Sequence, residues 1–253
     1  MVVDEIKIVQ KENCFELQAE IVYGHHGNQR FNLWYRLPSE LREFVQPEGS
    51  PFLAATMLPG MALGEDLFIN GKVSKKLQDN LKILMDIYRC WDSRLRKIKV
   101  EFNSFKEYLF TSPEIGSFFS LGVDSFYTLL KNVEEHPSDD KTITHLIVIQ
   151  GFDIPLENSD LFNRTVVNAQ RVAREFNKRI IPLTTNLRAF SDKIVEWGRL
   201  LSWSGHGKYR SCHGGPFWFD TYTIHCLLCH PFPLGIASTD RSSLVHREII
   251  VYS

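Results

Sequence analysis

The residues best suited to chemistry lie in one short run, Phe118 to Leu130, FFSLGVDSFYTLL. Ser120, Gly122, Asp124 and Ser125 bring two hydroxyls, a carboxylate and a position without a side chain close together in sequence. An apolar run precedes them and an amphipathic helical pattern follows, which is how a strand, a tight turn and a helix read in sequence. Successive N–H groups of such a turn point into one concavity, where the helix dipole also favours an anion, so phosphate is the natural guest. Asp and Ser also suit the start of any helix through capping and the dipole alone. A second cluster of reactive types is Cys212, His213, Cys226, Cys229 and His230, in which CLLC has the spacing of a zinc ligand pair. His25 and His26 share a turn, but a loop pair without a third partner is assigned no role.

The elements that must position the turn follow from periodicity. Residues 5 to 36 alternate in strand-like segments, EIKIVQ, CFELQAEIVY and RFNLWYRL, separated by the turn GHHGNQ. Pro51 to Gly71 mixes apolar residues with Pro and Gly and fits a strand pair or packed connection better than a long helix. Leu77 to Trp91 carries Leu81, Ile83, Leu84, Ile87 and Trp91 near helical spacing and reads as a core-facing helix. Lys97 to Phe102 is a short strand. From there strands and helices alternate: strand Gly116 to Ser120, helix Asp124 to Asn132, strand His145 to Gly151, helix Leu161 to Asn177, strand Arg179 to Thr184 and helix Phe190 to Ser202. That alternation predicts a parallel sheet flanked by helices, with ligands at the carboxyl ends of the strands. Gly151 to Asp153 and Thr184 to Asn186 then converge on the edge that carries the Ser120 turn. The predicted fold class is α/β, Rossmann-like. A β-rich module with one helix occupies residues 1–105, the α/β domain 106–207 and an aberrant tail 208–253.

Composition bounds the function classes. The 253 residues are 43% hydrophobic with a formal net charge of -1, which suits an ordinary globular core and gives no reason to expect nucleic acid as partner. No apolar run approaches a membrane span, and the N-terminal stretch MVVDEIKIVQKEN lacks the pattern of a signal peptide. Five cysteines, odd in number, do not form an oxidised framework, so reduced thiols and a cytoplasmic setting are expected.

FSLGVDS resembles the SGGxDS signature of the PP-loop ATP pyrophosphatases, which include asparagine synthetase, GMP synthetase and 7-cyano-7-deazaguanine synthase. With HLIVIQGFDIPLENSDLF and TNLR, the resemblance extends over residues 60 to 207, to a branch reading FSGGVDSFYTLL, HGFDIPL and TNLR. It implies a HUP-type domain that binds ATP and Mg2+ and adenylates a small-molecule substrate with release of AMP and pyrophosphate. By that resemblance Ser120, Gly122, Val123, Asp124 and Ser125 would cradle the pyrophosphate, with Asp124 reaching it through magnesium. Asp153 would face the adenine or ribose. Asn186 and Arg188 would sit across the pocket, the guanidinium being suited to a phosphate or carboxylate and counted, with Asp124, as catalytic. Leu121 stands where the signature has its first glycine, and a branched side chain there crowds the anion or twists the turn. The alternative expectation is therefore a non-catalytic nucleotide-binding remnant.

The tail after Gly207 has no sustained period. Read one base later, the underlying codons permit IPST from Tyr222 and LFPWGSHPLTDPLWSTEK from Pro231, strings similar to motifs of the same branch. The resemblance thus implies that residues from about 208 are an out-of-frame translation without regular structure. On that expectation zinc binding by the tail becomes the lesser reading.

Overall fold

The computed structural model describes residues 1–24, 27–106, 114–138, 141–195 and 234–236. Three long strands, β1 (Val2–Gln10), β2 (Cys14–Tyr23) and β3 (Gln29–Pro38), form an antiparallel meander, as their alternation predicts. Phe15, Leu17, Ala19, Ile21 and Tyr23 of β2 and Leu33, Tyr35 and Leu37 of β3 point to one face and are buried. The intervening residues, Glu16, Gln18, Glu20, Asn32, Trp34 and Arg36, occupy the other face, as a period of two requires.

A helix follows where a strand pair or packed connection was expected. α1 (Ser50–Leu63) is buried from Ser50 through Met61 and closes on Gly64, whose φ of +68° lets its N–H reach the Gly60 carbonyl. A helix buried all round has no apolar stripe, so periodicity cannot reveal it, and Pro51, Pro59 and Gly60 imitate a loop. Burial overrode local preference. β4 (Leu67–Ser74), α2 (Lys75–Trp91) and β5 (Val100–Lys106) complete this half, whose described residues hold two α-helices where one was expected, with a short 3-10 helix at Ser39–Phe44.

The second half runs β6 (Glu114–Phe118), α3 (Val123–Glu135), β7 (Ile143–Gln150), α4 (Ser159–Glu175), β8 (Arg179–Thr185) and α5 (Leu187–Ser191). α5 begins earlier and ends sooner than the helix expected over Phe190 to Ser202, and residues 196–202 lie outside the described ones. Of the tail, the described residues Leu234–Ile236 form β9, which pairs in parallel with Glu114–Gly116. That corrects the expectation of a tail without regular structure for those residues.

The nine strands of the described residues join one mixed, mostly parallel sheet in the order β5-β4-β1-β2-β3-β8-β7-β6-β9. The sheet thus continues across the boundary drawn near residue 105, through the antiparallel contact of β3 with β8. α1, α2 and α5 cover one face over the larger apolar cluster, which includes Phe52, Leu58, Ile147, Leu183 and Phe190. α3 and α4 cover the opposite face of the β6–β8 end, over the smaller cluster of Ile115, Phe119, Leu129, Leu146, Val148 and Phe162. No described helix is long and apolar enough to cross a membrane.

Candidate functional site

β6, β7 and β8 are adjacent and parallel, so their carboxyl ends deliver the three expected segments to one sheet edge. β9 pairs on the far side of β6, so the strand order reverses there. Open α/β sheets hold their ligands outside the carboxyl ends of strands at such a reversal. The turn that leaves β6 at this point contains Ser120, Leu121 and Gly122.

Apolar packing fixes the turn on both sides. The Phe119 N–H donates to the Ile147 carbonyl at 2.8 Å, and its buried ring meets Phe126 of α3 edge-on, centroids 5.1 Å apart. Inside the turn, the Gly122 N–H donates to Ser120 Oγ at 3.3 Å and the Ser125 hydroxyl donates to the Gly122 carbonyl at 2.9 Å. The two hydroxyl oxygens stand 3.5 Å apart. Gly122, at the start of α3, offers no side-chain cap, and the first helical bond runs from the Phe126 N–H to the Gly122 carbonyl. The N–H groups of Val123, Asp124 and Ser125 precede that bond and stand as donors at the positive end of the helix. Val123 is 86% exposed, so it brings the turn its backbone and not its side chain. Asp124 is exposed in the first helical turn.

Leu121 resolves the conflict posed by its side chain. It adopts φ +64°, the left-handed region that glycine enters freely. Its half-buried side chain packs against the smaller apolar cluster. The turn keeps a glycine-like path at a cost of about 1–2 kcal/mol for an L-residue.

Asp153 lies exposed in the turn after β7. That turn is built on Gly151, whose φ is +102° and whose N–H donates to the Ile154 carbonyl at 2.8 Å. A Cβ on Gly151 would stand 1.7 Å from the Thr185 carbonyl oxygen, so only glycine lets the ends of β7 and β8 approach this closely. Arg188 Nη1 donates to the Phe152 carbonyl at 2.8 Å, and its Nε lies 3.3 Å from Asp192 Oδ2. The guanidinium therefore braces the Asp153 turn.

Asn186 faces the other way. Its Oδ1 accepts from the Trp34 N–H at 2.9 Å and its Nδ2 donates to the Asn32 carbonyl at 2.8 Å. Thr185 Oγ1 donates to the Trp34 carbonyl at 2.8 Å. Together they fasten β3 to β8, whose backbone pairing is limited to Tyr35 with Thr185 and Arg36 with Thr184. The structure thus unites Ser120, Gly122, Val123, Asp124 and Ser125 in one turn, places Asp153 and Arg188 together beside it, and commits the Asn186 carboxamide to β3. Sequence reasoning missed Trp34 and Thr185 as partners of this junction, because positions so far apart in the chain give no local signal.

A concavity of about 410 Å³ lies away from this turn and is lined by residues including Met1, Tyr23, Gly24, Glu65 and Asp66. The N-terminal ammonium there pairs with Glu65 at 3.3 Å and donates to the Asp66 carbonyl at 2.7 Å, a structural closure. Ser120, Gly122, Val123 and Asp124 of the turn are exposed. Among the described residues no group of three or more His, Cys, Asp or Glu could hold a metal ion. Cys212, His213, Cys226, Cys229 and His230 lie outside the described residues, as do His25 and His26. Compared with protein-family profiles, curated proteins and solved structures, the chain matches none.

Proposed function

We propose that this chain binds ATP at the Ser120–Ser125 turn and adenylates a small-molecule substrate with release of pyrophosphate, AMP leaving when an amine or sulfur nucleophile attacks the adenylated carbon. The observation that carries the reading is the uncapped start of α3 joined to two facing hydroxyls at the reversal of strand order. The N–H groups of Val123, Asp124 and Ser125 and the hydroxyls of Ser120 and Ser125 supply donors to the β- and γ-phosphates. Asp124, exposed in the first turn, would hold Mg2+ through a carboxylate oxygen, and the ion would offset charge on the departing pyrophosphate. Arg188 keeps the 151–154 turn in place, so that Asp153 can face the nucleoside. A substrate oxygen attacking the α-phosphorus displaces pyrophosphate, and the turn holds that leaving group as its charge grows.

The experiment is an ATP titration of the full chain with magnesium, followed by measurement of pyrophosphate release. Binding that weakens about tenfold or more in Ser125→Ala and Asp124→Asn supports the turn as the site. An unchanged affinity in both variants refutes it. Leu121, a branched side chain where the signature has its first glycine, favours one second reading, a binding protein without turnover. ATP affinity without pyrophosphate release would decide for that reading.

A further inference from the structure

α1, α2 and α5 pack on one side and α3 and α4 cover the other only at the β6–β8 end, so among the described residues no helix covers the second face of β1–β3. That face holds a shallow depression of about 160 Å³ lined by Glu5, Lys7, Gln18, Glu20 and Asn32. Trp34 borders it, directly across from Gln18 and next after Asn32 on the same face of β3.

Four further features distinguish this depression from ordinary solvated sheet. The Trp34 backbone is clamped by Asn186 and Thr185, and the Arg36 guanidinium stacks over its ring at 4.7 Å from the centroid. Arg36 is itself held by two hydrogen bonds, of 3.0 and 2.7 Å, to the buried Glu16 carboxylate, so the indole is fixed before any ligand arrives. β1 is bulged beside it: Asp4 pairs with Glu20 and Lys7 with Gln18, so Glu5 and Ile6 share one opposing position. Glu5 takes φ +50° there, a strained conformation for a residue with a side chain. Finally, the Asn32 carboxamide donates to Gln18 Oε1 at 3.3 Å, which joins two amide side chains on the face that carries Trp34, Gln18 being its cross-strand partner.

We propose that this depression is a binding site for one uncharged purine-type ring, stacked on Trp34 and read along its edge by the carboxamides of Gln18 and Asn32. The volume admits a single ring system. An aromatic plane beside carboxamides is the chemistry that recognises a base. The cations on this face are already matched, Lys7 with Glu5, Arg30 with Glu20 and Arg36 with Glu16, so a phosphate gains nothing there. The site is distinct from the Ser120 turn. β2 and β6 stand four strands apart, roughly 19 Å at about 4.8 Å per strand, and the proposal holds whether or not the turn binds ATP.

The test is equilibrium dialysis of labelled guanosine and of labelled adenosine against the full chain, with guanosine monophosphate and a single-stranded oligoribonucleotide as further arms. The expected result is saturable binding of a nucleoside that weakens about tenfold or more in Trp34→Ala, survives within about threefold in Trp34→Phe, and is unchanged in Ser125→Ala. The monophosphate should bind no more tightly than the nucleoside. Gln18→Ala, on an exposed face, should weaken binding without unfolding the chain. Absence of nucleoside binding to the parent, or equal binding by Trp34→Ala, overturns the proposal. So does loss of binding in Ser125→Ala, which would assign the signal to the turn. Oligoribonucleotide binding more than tenfold tighter than the nucleoside would overturn the assignment to a small molecule. ATP binding measured on the same samples reports the turn separately.

Discussion

At the scale of single residues, two positions set the geometry of the strand ends. Leu121 carries positive φ where glycine would be free, yet its side chain also packs on the smaller core. Replacing it by glycine relieves about 1–2 kcal/mol of backbone strain. Against that stand a lost half-buried side chain and a more flexible unfolded chain, each about 1 kcal/mol. Leu121→Gly should therefore fall within about 1 kcal/mol of the parent in urea unfolding, whereas Leu121→Val, β-branched in a left-handed conformation, should lose about 1–2 kcal/mol. Gly151 has no such balance. Its Cβ would meet the Thr185 oxygen at 1.7 Å, and relief requires the ends of β7 and β8 to part. Gly151→Ala should cost about 3 kcal/mol or more by the same measurement and reduce ATP affinity through displacement of the Asp153 turn. Leu121 was visible in the sequence through its departure from the SGGxDS pattern. Gly151 has the sequence signature of an ordinary loop glycine, since its constraint comes from a residue on another strand.

At the scale of elements, the helices differ in how their first turns are closed. In α2 the Ser74 hydroxyl accepts from the Leu77 N–H, and in α4 the Asn158 carboxamide accepts from the Leu161 N–H at 3.1 Å. α3 starts at a glycine and leaves that position open. Adding a cap by Gly122→Ser, at an ordinary φ of -84°, should raise stability by a few tenths to about 1 kcal/mol. The same change should weaken ATP binding, because a cap hydroxyl takes the N–H groups that the phosphates would use. Asn158→Ala should instead cost about 1 kcal/mol and leave ATP affinity unchanged, as read by thermal unfolding and titration of the same samples. The amphipathic helices α2, α3 and α4 were legible because each buries one stripe. α1 was not, because it buries every side.

At the scale of the whole molecule, the alternation of strands and helices after residue 105 foretold the parallel half of the sheet. It could not foretell that β3 would adjoin β8, because pairing partners across a sheet leave no periodic trace. Charge acts at this scale through the pH dependence of folding. Hydrogen bonds from the Asn70 amide and the Glu5 N–H hold the Asp4 carboxyl below its ordinary value of 3.8, and Arg94 does the same for Asp92. A carboxyl depressed in the folded state contributes stability that is present above its unfolded pKa and lost as pH falls through the folded one. The melting temperature should therefore drop below about pH 4, and Asp4→Asn should make that drop shallower. The β3–β8 junction has a further consequence in time. During synthesis β3 leaves the ribosome long before β8, since Trp34 and its partner Asn186 are 152 positions apart. At 5–20 residues per second this interval is roughly 8–30 s. For that period the meander can be complete while one border of it has no strand to meet. A nascent chain stalled before β8 should accordingly recruit chaperones or pair with its neighbours on a polysome, so the pace of translation itself bears on how much of this protein reaches its final form.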